Sequence, residues 1–143
     1  MTQLNTPGIR LAEMPGVHAL TDVTGYGLLG HLLEICRGSR LAARVSFDAV
    51  PIFPAARHLL EAGYGTGASD RNWASYGPAV DLPAGKPAWC ARILTDPQTS
   101  GGLLVACDAA TAPAVLDIFK REGFKYALRI GTLGAGEPRI VVE

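Results

Sequence analysis

The strongest constraint on the fold of this chain is an apolar run followed directly by a segment with clear helix start and stop signals. Leu103–Cys107 is continuously apolar, which is typical of a strand buried on both faces. Asp108 can cap the helix that follows, Pro113 fits its early turns, and Gly123 can end it. A strand followed at once by an amphipathic helix is typical of layered α/β and α+β folds.

A second amphipathic helix is predicted after Gly25, with Gly38 ending it. Its apolar side chains recur at helical spacing, and they leave His31, Glu34 and Arg37 on the other face. The apolar residues are Leu28, Leu29, Leu32, Leu33, Ile35 and Cys36.

Local patterns predict several further elements around these two helices. They are a strand over residues 41–47, a proline-punctuated turn over 48–54, a helix over 55–62 closed by Gly63, and strands over 126–130 and 139–142. Because a glycine-rich segment, 134–136, separates the last two strands, we expect a terminal hairpin. Residues 63–87 lack clean periodicity and are expected to form a long loop. Trp73 and Tyr76 are costly to leave in water, so this loop should lie against a partner.

Length and charge limit the possible classes of protein. The 143 residues suffice for one domain, and the formal net charge of zero argues against a nucleic-acid partner. No apolar run approaches the roughly 20 residues that cross a bilayer, and no signal-peptide pattern opens the sequence, so we expect a cytoplasmic protein with no membrane partner. Cys36, Cys90 and Cys107 form no CxxC pair or Cys/His cluster, and they are expected to be small buried hydrophobic residues.

Residues 21–27 are the first candidate for binding chemistry. Thr24 can cap the following helix, and Gly25 and Gly27 would leave its first N–H groups open to an anion such as phosphate. Asp22 could hold a magnesium ion that shares the phosphate oxygens. The alternative is that Asp22 only caps a turn and that the glycines only permit tight packing.

Two further polar segments are candidates of the same kind. Residues 96–102 contain Asp96, Thr99, Ser100, Gly101 and Gly102, which make a turn whose backbone can approach a ligand. The alternative is that this turn only leads into the strand, with Asp96 locking it by accepting backbone N–H bonds.

In the third segment, residues 70–73, Arg71 could pair with a phosphate, but a solvated charge or an interdomain salt bridge is the more frequent role of such an arginine. Asn72 lies beside it.

Together these segments resemble one particular family. T-D-V-T-G-Y-G-L-L-G-H-L-L-E at 21–34, R-N-W-A-S-Y-G at 71–77 and D-P-Q-T-S-G-G-L-L at 96–104 resemble the C-terminal domain of selenophosphate synthetase, or selenide, water dikinase. Similar domains occur in aminoimidazole ribonucleotide synthetase, thiamine-monophosphate kinase and a hydrogenase maturation protein. The resemblance implies an α+β fold with a mixed β-sheet flanked by helices, partly ferredoxin-like, and a single domain over residues 1–143.

The resemblance also implies a function. The family makes selenophosphate from selenide, ATP and water and releases AMP and orthophosphate, with Asp22 as one Mg²⁺ ligand. Its N-terminal domain supplies the reactive cysteine or selenocysteine, a lysine, most of the magnesium-binding aspartates and the homodimer interface. This chain alone is therefore expected to be inactive and to hold neither ATP nor Mg²⁺ tightly. For Asn72, Asp96, Thr99, Ser100, Gly101 and Gly102 the resemblance implies motif membership and no chemical role.

Two alternative functions stay open at this point. One is the equivalent domain of another superfamily member, which would act on a ribonucleotide or a thiamine phosphate. The other is a freestanding binding module without catalysis.

Overall fold

The computed structural model describes residues 3–143, which form six α-helices and six strands. The helices are α1 (Pro7–Ala12), α2 (Gly27–Ser39), α3 (Pro54–Glu61), α4 (Gly67–Tyr76), α5 (Ala88–Thr95) and α6 (Ala112–Arg121). The strands are β1 (Val17–Asp22), β2 (Leu41–Val45), β3 (Val80–Asp81), β4 (Leu103–Cys107), β5 (Gly131–Ala135) and β6 (Ile140–Val142). None of the helices in this part of the chain is long and apolar enough to span a membrane.

The strands form two sheets. β1 and β4 make an antiparallel pair in which Asp22 lies opposite Leu103. The second sheet has the order β3-β6-β2-β5, with β6 parallel to both β2 and β3 and with β5 antiparallel to β2. This arrangement confirms the predicted mixed sheet flanked by helices.

Helix α2 joins the two sheets through the main hydrophobic core. It contacts β2 and β6 of the larger sheet and both strands of the β1–β4 pair. Leu29, Leu33 and Cys36 are almost fully buried together with Ile140 of β6. A smaller cluster around Leu11, Val115 and Phe119 packs α1 and α6 against the β1–β4 pair. Burial of these side chains is the main source of stability in such a fold.

The predicted terminal hairpin is wrong. The chain enters β5 only at Gly131, after the segment predicted as a strand over 126–130, and β2 lies between β5 and β6. A Cβ atom on Gly131 would lie 2.1 Å from the carbonyl oxygen of Arg44, so this glycine allows β5 to approach β2 closely. Gly131 is therefore required for the close packing of two strands and not for a turn.

The predicted loop over residues 63–87 is also wrong, since it contains α4 and β3. The Thr66 hydroxyl caps α4 by accepting a hydrogen bond from the Ser69 N–H at 3.2 Å. Tyr76 is buried in the core of this same chain and Trp73 packs half-buried against it, so the chain itself covers much of both rings.

Several helix ends differ from the predictions. Helix α2 continues through Gly38 and ends before Arg40, which takes a left-handed φ of 55°. Thr111 precedes α6, and the predicted cap, Asp108, binds His18 at 2.9 Å instead. Pro113 does lie in the first turn of α6, as predicted.

Candidate functional site

The three candidate segments meet at the amino-terminal end of α2. Residues 23–26 connect β1 to α2, and residues 96–102 connect α5 to β4. The Gln98 N–H donates to the Thr24 carbonyl at 3.1 Å, and the Val23 N–H donates to the Gly102 carbonyl at 2.9 Å. From α4, the Asn72 side chain reaches the Gly25 carbonyl at 2.9 Å. Segments far apart in sequence therefore form one local structure, which we call the β1–α2 turn site.

Asp22 lies at the edge of this site with an exposed side chain, at the last position of β1. The Thr21 hydroxyl donates to the backbone carbonyl of Asp22 at 3.1 Å and not to its carboxylate. Within residues 3–143 no three histidine, cysteine or acidic side chains group closely enough to hold a metal ion. Asp22 can thus provide one oxygen ligand to a hard cation, which needs more ligands than this part of the chain brings together.

The predicted capping of α2 by Thr24 is wrong. Tyr26 is the residue before the helix, and no side chain caps it. The Thr24 N–H donates to Nε2 of His31 at 3.0 Å, and the Thr24 hydroxyl lies 3.1 Å from the same nitrogen. Because Nε2 accepts the N–H bond, the neutral ring carries its proton on Nδ1.

Sequence reasoning missed the role of His31 by placing it on the polar face of α2. The histidine lies one turn into the helix, from which its ring reaches back to the turn, and it packs edge-on against Tyr26 with ring centroids 6.0 Å apart. The available signal was its position four residues after Gly27, where an i,i+4 side chain points toward the helix start.

Gly25 and Gly27 play different parts in the turn. Gly27 is buried with a φ of +67°, and a Cβ atom there would lie 2.6 Å from the Thr95 carbonyl carbon. Its N–H already donates to the Thr24 carbonyl at 3.1 Å. Gly25 is exposed, and a Cβ atom would meet nothing within 4 Å. Tight packing therefore accounts for Gly27, whereas Gly25 leaves open backbone at the surface.

Helix α4 supplies two donors to the turn. Asn72 Nδ2 donates to the carbonyls of Gly25 and Thr95, each at 2.9 Å. The Tyr76 hydroxyl donates to the Tyr26 carbonyl, and burial raises the pKa of Tyr76 to about 12. These bonds fix two successive carbonyls just before α2.

Asp96 ties the far end of α4 to the same site. Its carboxylate accepts the Thr66 hydroxyl at 2.8 Å and the Ser69 hydroxyl at 2.9 Å. Ser69 is completely buried, and its hydroxyl also lies 3.3 Å from the Arg92 carbonyl of α5, so it has two acceptors within reach. Asp96 therefore locks its segment, as the second interpretation of this turn predicted. The groups that it accepts are side-chain hydroxyls, however, and not the predicted backbone N–H groups.

The rest of the 96–102 segment approaches the turn closely through its backbone. A Cβ atom on Gly101 would lie 1.9 Å from the Val23 carbonyl oxygen, so no other residue fits there without movement. Ser100 has a left-handed φ of 56°. Thr99 and Gly102 are exposed, and a side chain at Gly102 would meet open space.

The cysteines lie away from this arrangement. Cys36 and Cys90 are buried and Cys107 is partly buried, and burial raises the pKa of each thiol. A raised pKa leaves little nucleophilic thiolate at neutral pH. The expectation that these residues are packed hydrophobic groups is confirmed for Cys36 and Cys90.

Comparison with known protein families identifies the family of this chain. The family described as AIR synthase related protein, C-terminal domain, matches residues 6–143, and the chain belongs to it. Over 141 residues the chain is 54% identical to a selenide, water dikinase of Dechloromonas aromatica, covering 99% of this chain and 40% of that protein. A selenide, water dikinase of Rhizobium meliloti is 50% identical with the same coverage. The chain therefore spans about two-fifths of the length of these curated relatives.

Solved structures share the fold at lower identity. The hydrogenase maturation protein HypE of E. coli superposes with a TM-score of 0.68 at 20% identity, covering 96% of this chain and 35% of that one. A thiamine-monophosphate kinase from Stenotrophomonas maltophilia gives 0.61 at 25% identity, covering 96% and 34%. A HypE in complex with ATP gives 0.64 at 20% identity, covering 99% and 37%. These likenesses confirm the predicted superfamily fold.

Proposed function

We propose that this chain is the carboxyl-terminal domain of a selenide, water dikinase, which makes selenophosphate from selenide, ATP and water and releases AMP and orthophosphate. The observation that carries the proposal is the 54% identity to the Dechloromonas aromatica protein over nearly the whole chain. Identity to HypE and to thiamine-monophosphate kinase is only 20% and 25%. Those two relatives thus support the architecture, and the dikinases support the activity.

In this proposal the β1–α2 turn site lies beside the phosphates of ATP. Asp22 supports it because its exposed carboxylate is the kind of oxygen ligand that Mg²⁺ prefers. The ion would neutralise charge on the phosphate oxygens. Thr24 and Gly27 hold the turn in shape, and the open backbone at Gly25 allows a phosphate to approach. A single carboxylate holds Mg²⁺ weakly, so this chain by itself should bind neither the ion nor ATP tightly.

The remaining parts of the enzyme would come from an N-terminal domain. That domain would supply the reactive cysteine or selenocysteine, further magnesium ligands and the homodimer interface. The buried thiols of this chain do not replace the nucleophile, because burial disfavours their thiolate forms. The isolated 143-residue chain should therefore be catalytically silent.

The test joins this chain to the N-terminal part of the Dechloromonas aromatica relative and follows phosphorus products by ³¹P NMR. We expect AMP and selenophosphate to form only when selenide is present. Asp22→Asn should reduce the rate about 100-fold or more, as removal of one group that stabilises transition-state charge often does. Asp48→Asn, which removes an exposed carboxylate outside the turn, should keep the wild-type rate.

The possible outcomes separate the alternatives. Full activity of Asp22→Asn would show that the role assigned to Asp22 is wrong. Phosphate transfer to thiamine monophosphate, or phosphorus products that depend on a ribonucleotide substrate, would indicate another branch of the superfamily. An inactive protein that binds a ligand or another protein unaided would favour the freestanding module.

A further inference from the structure

The side chain of Asn72 joins two separate segments of the chain. Its amide nitrogen contacts two carbonyl oxygens, one in the turn before α2 and one at the last residue of α5. Both partners can only accept, so the contacting atom must be the NH₂ group, and both of its hydrogens are used. Asn72 thus bridges the β1–α2 turn and the segment that leads through Asp96 to β4.

We propose that Asn72 is a positioning residue, which holds the turn after Asp22 at a fixed distance from the 96–102 segment. The inference rests on the proposed function, in which the turn lies beside the phosphates of ATP. Asn72 acts through the backbone of Gly25 and does not itself contact the substrate.

Other hydrogen bonds hold the rest of α4 and the neighbouring carbonyl of the turn, so the effect of Asn72 should be confined to Gly25. The amino-terminal end of α4 is held independently by the hydroxyls of Thr66 and Ser69 on Asp96. Tyr76 separately holds the Tyr26 carbonyl. Loss of the Asn72 amide should therefore leave α4 in place and release only the Gly25 end of the turn.

The side-chain chemistry at this position is demanding. Aspartate has the same shape, but it has no donor when ionised and would place a negative charge beside two carbonyl oxygens. Serine is smaller and has a single hydrogen to donate, so it cannot bridge both acceptors. Asn72→Asp and Asn72→Ser therefore remove the bridge in two different ways.

Amide hydrogen exchange on the 143-residue chain tests the positioning directly. In both Asn72 variants the N–H groups of Thr24 and Gly27 should exchange roughly 10-fold faster, because their bonds to His31 and to the Thr24 carbonyl depend on a fixed turn. The matched control is Gln3→Ser, which removes one amide bond of 2.8 Å to the Glu122 carbonyl, outside the turn site. It should leave both exchange rates unchanged. Unchanged protection of Thr24 and Gly27 in the Asn72 variants would overturn the proposal.

Kinetics of the joined enzyme test the consequence for the reaction. We expect kcat to fall roughly 10- to 100-fold in Asn72→Ser, the range that a misplacement of about 1 Å can cause. The Mg²⁺ concentration for half-maximal rate should rise, while KM for ATP changes little. A purely structural role would lower the melting temperature and leave the Mg²⁺ dependence unchanged. That second pattern would refute the role in the reaction.

The two measurements also separate failure of the inference from failure of the proposed function. If the wild-type joined enzyme forms no selenide-dependent AMP, the proposed function is wrong, and the exchange rates alone decide whether Asn72 positions the turn. If the wild type is active and Asn72→Ser matches it in both kcat and Mg²⁺ dependence, the function stands and the inference is wrong.

Discussion

Replacement of Gly27 by alanine should destabilise this chain strongly, for two reasons that add. The residue has a φ of +67°, a conformation that costs an L side chain about 1–2 kcal/mol. The new Cβ atom would also lie 2.6 Å from the carbonyl carbon of Thr95 and 2.8 Å from its Cα atom. These are backbone atoms of α5, which cannot rotate away, and such overpacking costs about 1–3 kcal/mol. The expected loss is therefore about 2–5 kcal/mol, out of the roughly 5–15 kcal/mol that stabilises a typical domain.

Urea unfolding followed by tryptophan fluorescence measures this loss, since Trp73 and Trp89 both pack against the core. Gly25→Ala is the matched control two residues away, because its Cβ atom would meet nothing within 4 Å and its φ is not positive. The control should change the unfolding free energy by no more than about 0.5 kcal/mol. A Gly27→Ala variant as stable as the wild type would refute the packing argument. So would an equally large loss in Gly25→Ala.

Three further predictions concern other parts of the structure. Asp96→Ala should lower the unfolding free energy by about 1.5–3 kcal/mol, because its carboxylate accepts the hydroxyls of Thr66, which caps α4, and of Ser69 within it. Asp70→Ala breaks an exposed ion pair and should cost at most about 1 kcal/mol in the same urea titration. Burial raises the pKa of Tyr76 to about 12 in the folded state, so its protonated form adds stability that is lost as the pH rises from about 10 through 12. Between pH 9 and 12 the wild type should thus lose about 2 kcal/mol more than Tyr76→Phe, and equal losses would contradict the assignment. Cys36 and Cys90 should resist iodoacetamide in the native chain and react after unfolding, as peptide mass spectrometry would show, because burial raises both pKa values.

Helix α4 shows why part of the site could not be predicted from helix propensity or hydrophobic periodicity. Its sequence, GASDRNWASY, is rich in residues with weak helix propensity and lacks an apolar stripe. The inward positions carry Ser69, Asn72 and Tyr76, which are held in place by hydrogen bonds to α5 and to the turn. A helix stabilised through specific polar partners gives no periodic hydrophobic signal. By contrast, α2 and β4 carry ordinary apolar side chains, and their patterns correctly predicted a helix and a strand, although within β4 only Leu104 is buried and its neighbours are half-buried.

The wrong hairpin has a different cause, which is long-range pairing. Strands that are close in sequence usually pair, but here β2 lies between β5 and β6 and pairs with both. Nothing local to residues 126–142 encodes that insertion. Gly131 is required by the carbonyl of Arg44, a residue far away along the chain. The motif resemblance grouped the 21–34, 71–77 and 96–104 segments as motifs of one family, whereas their meeting in one site required the structure.

The contacts of the motif residues separate those that build the site from those that can act in it. The Asn72 amide and the Asp96 carboxylate already bind groups of this chain, and the Gly101 backbone packs against the carbonyl of Val23. By contrast, the carboxylate of Asp22 and the backbone at Gly25 are open to solvent at the end of β1 and in the turn that follows. Substitutions of the first group should therefore alter the shape and stability of the turn. Substitutions of Asp22 should lower the reaction rate while the fold remains intact. Rate measurements on the joined enzyme, together with unfolding measurements, can separate these two groups of residues.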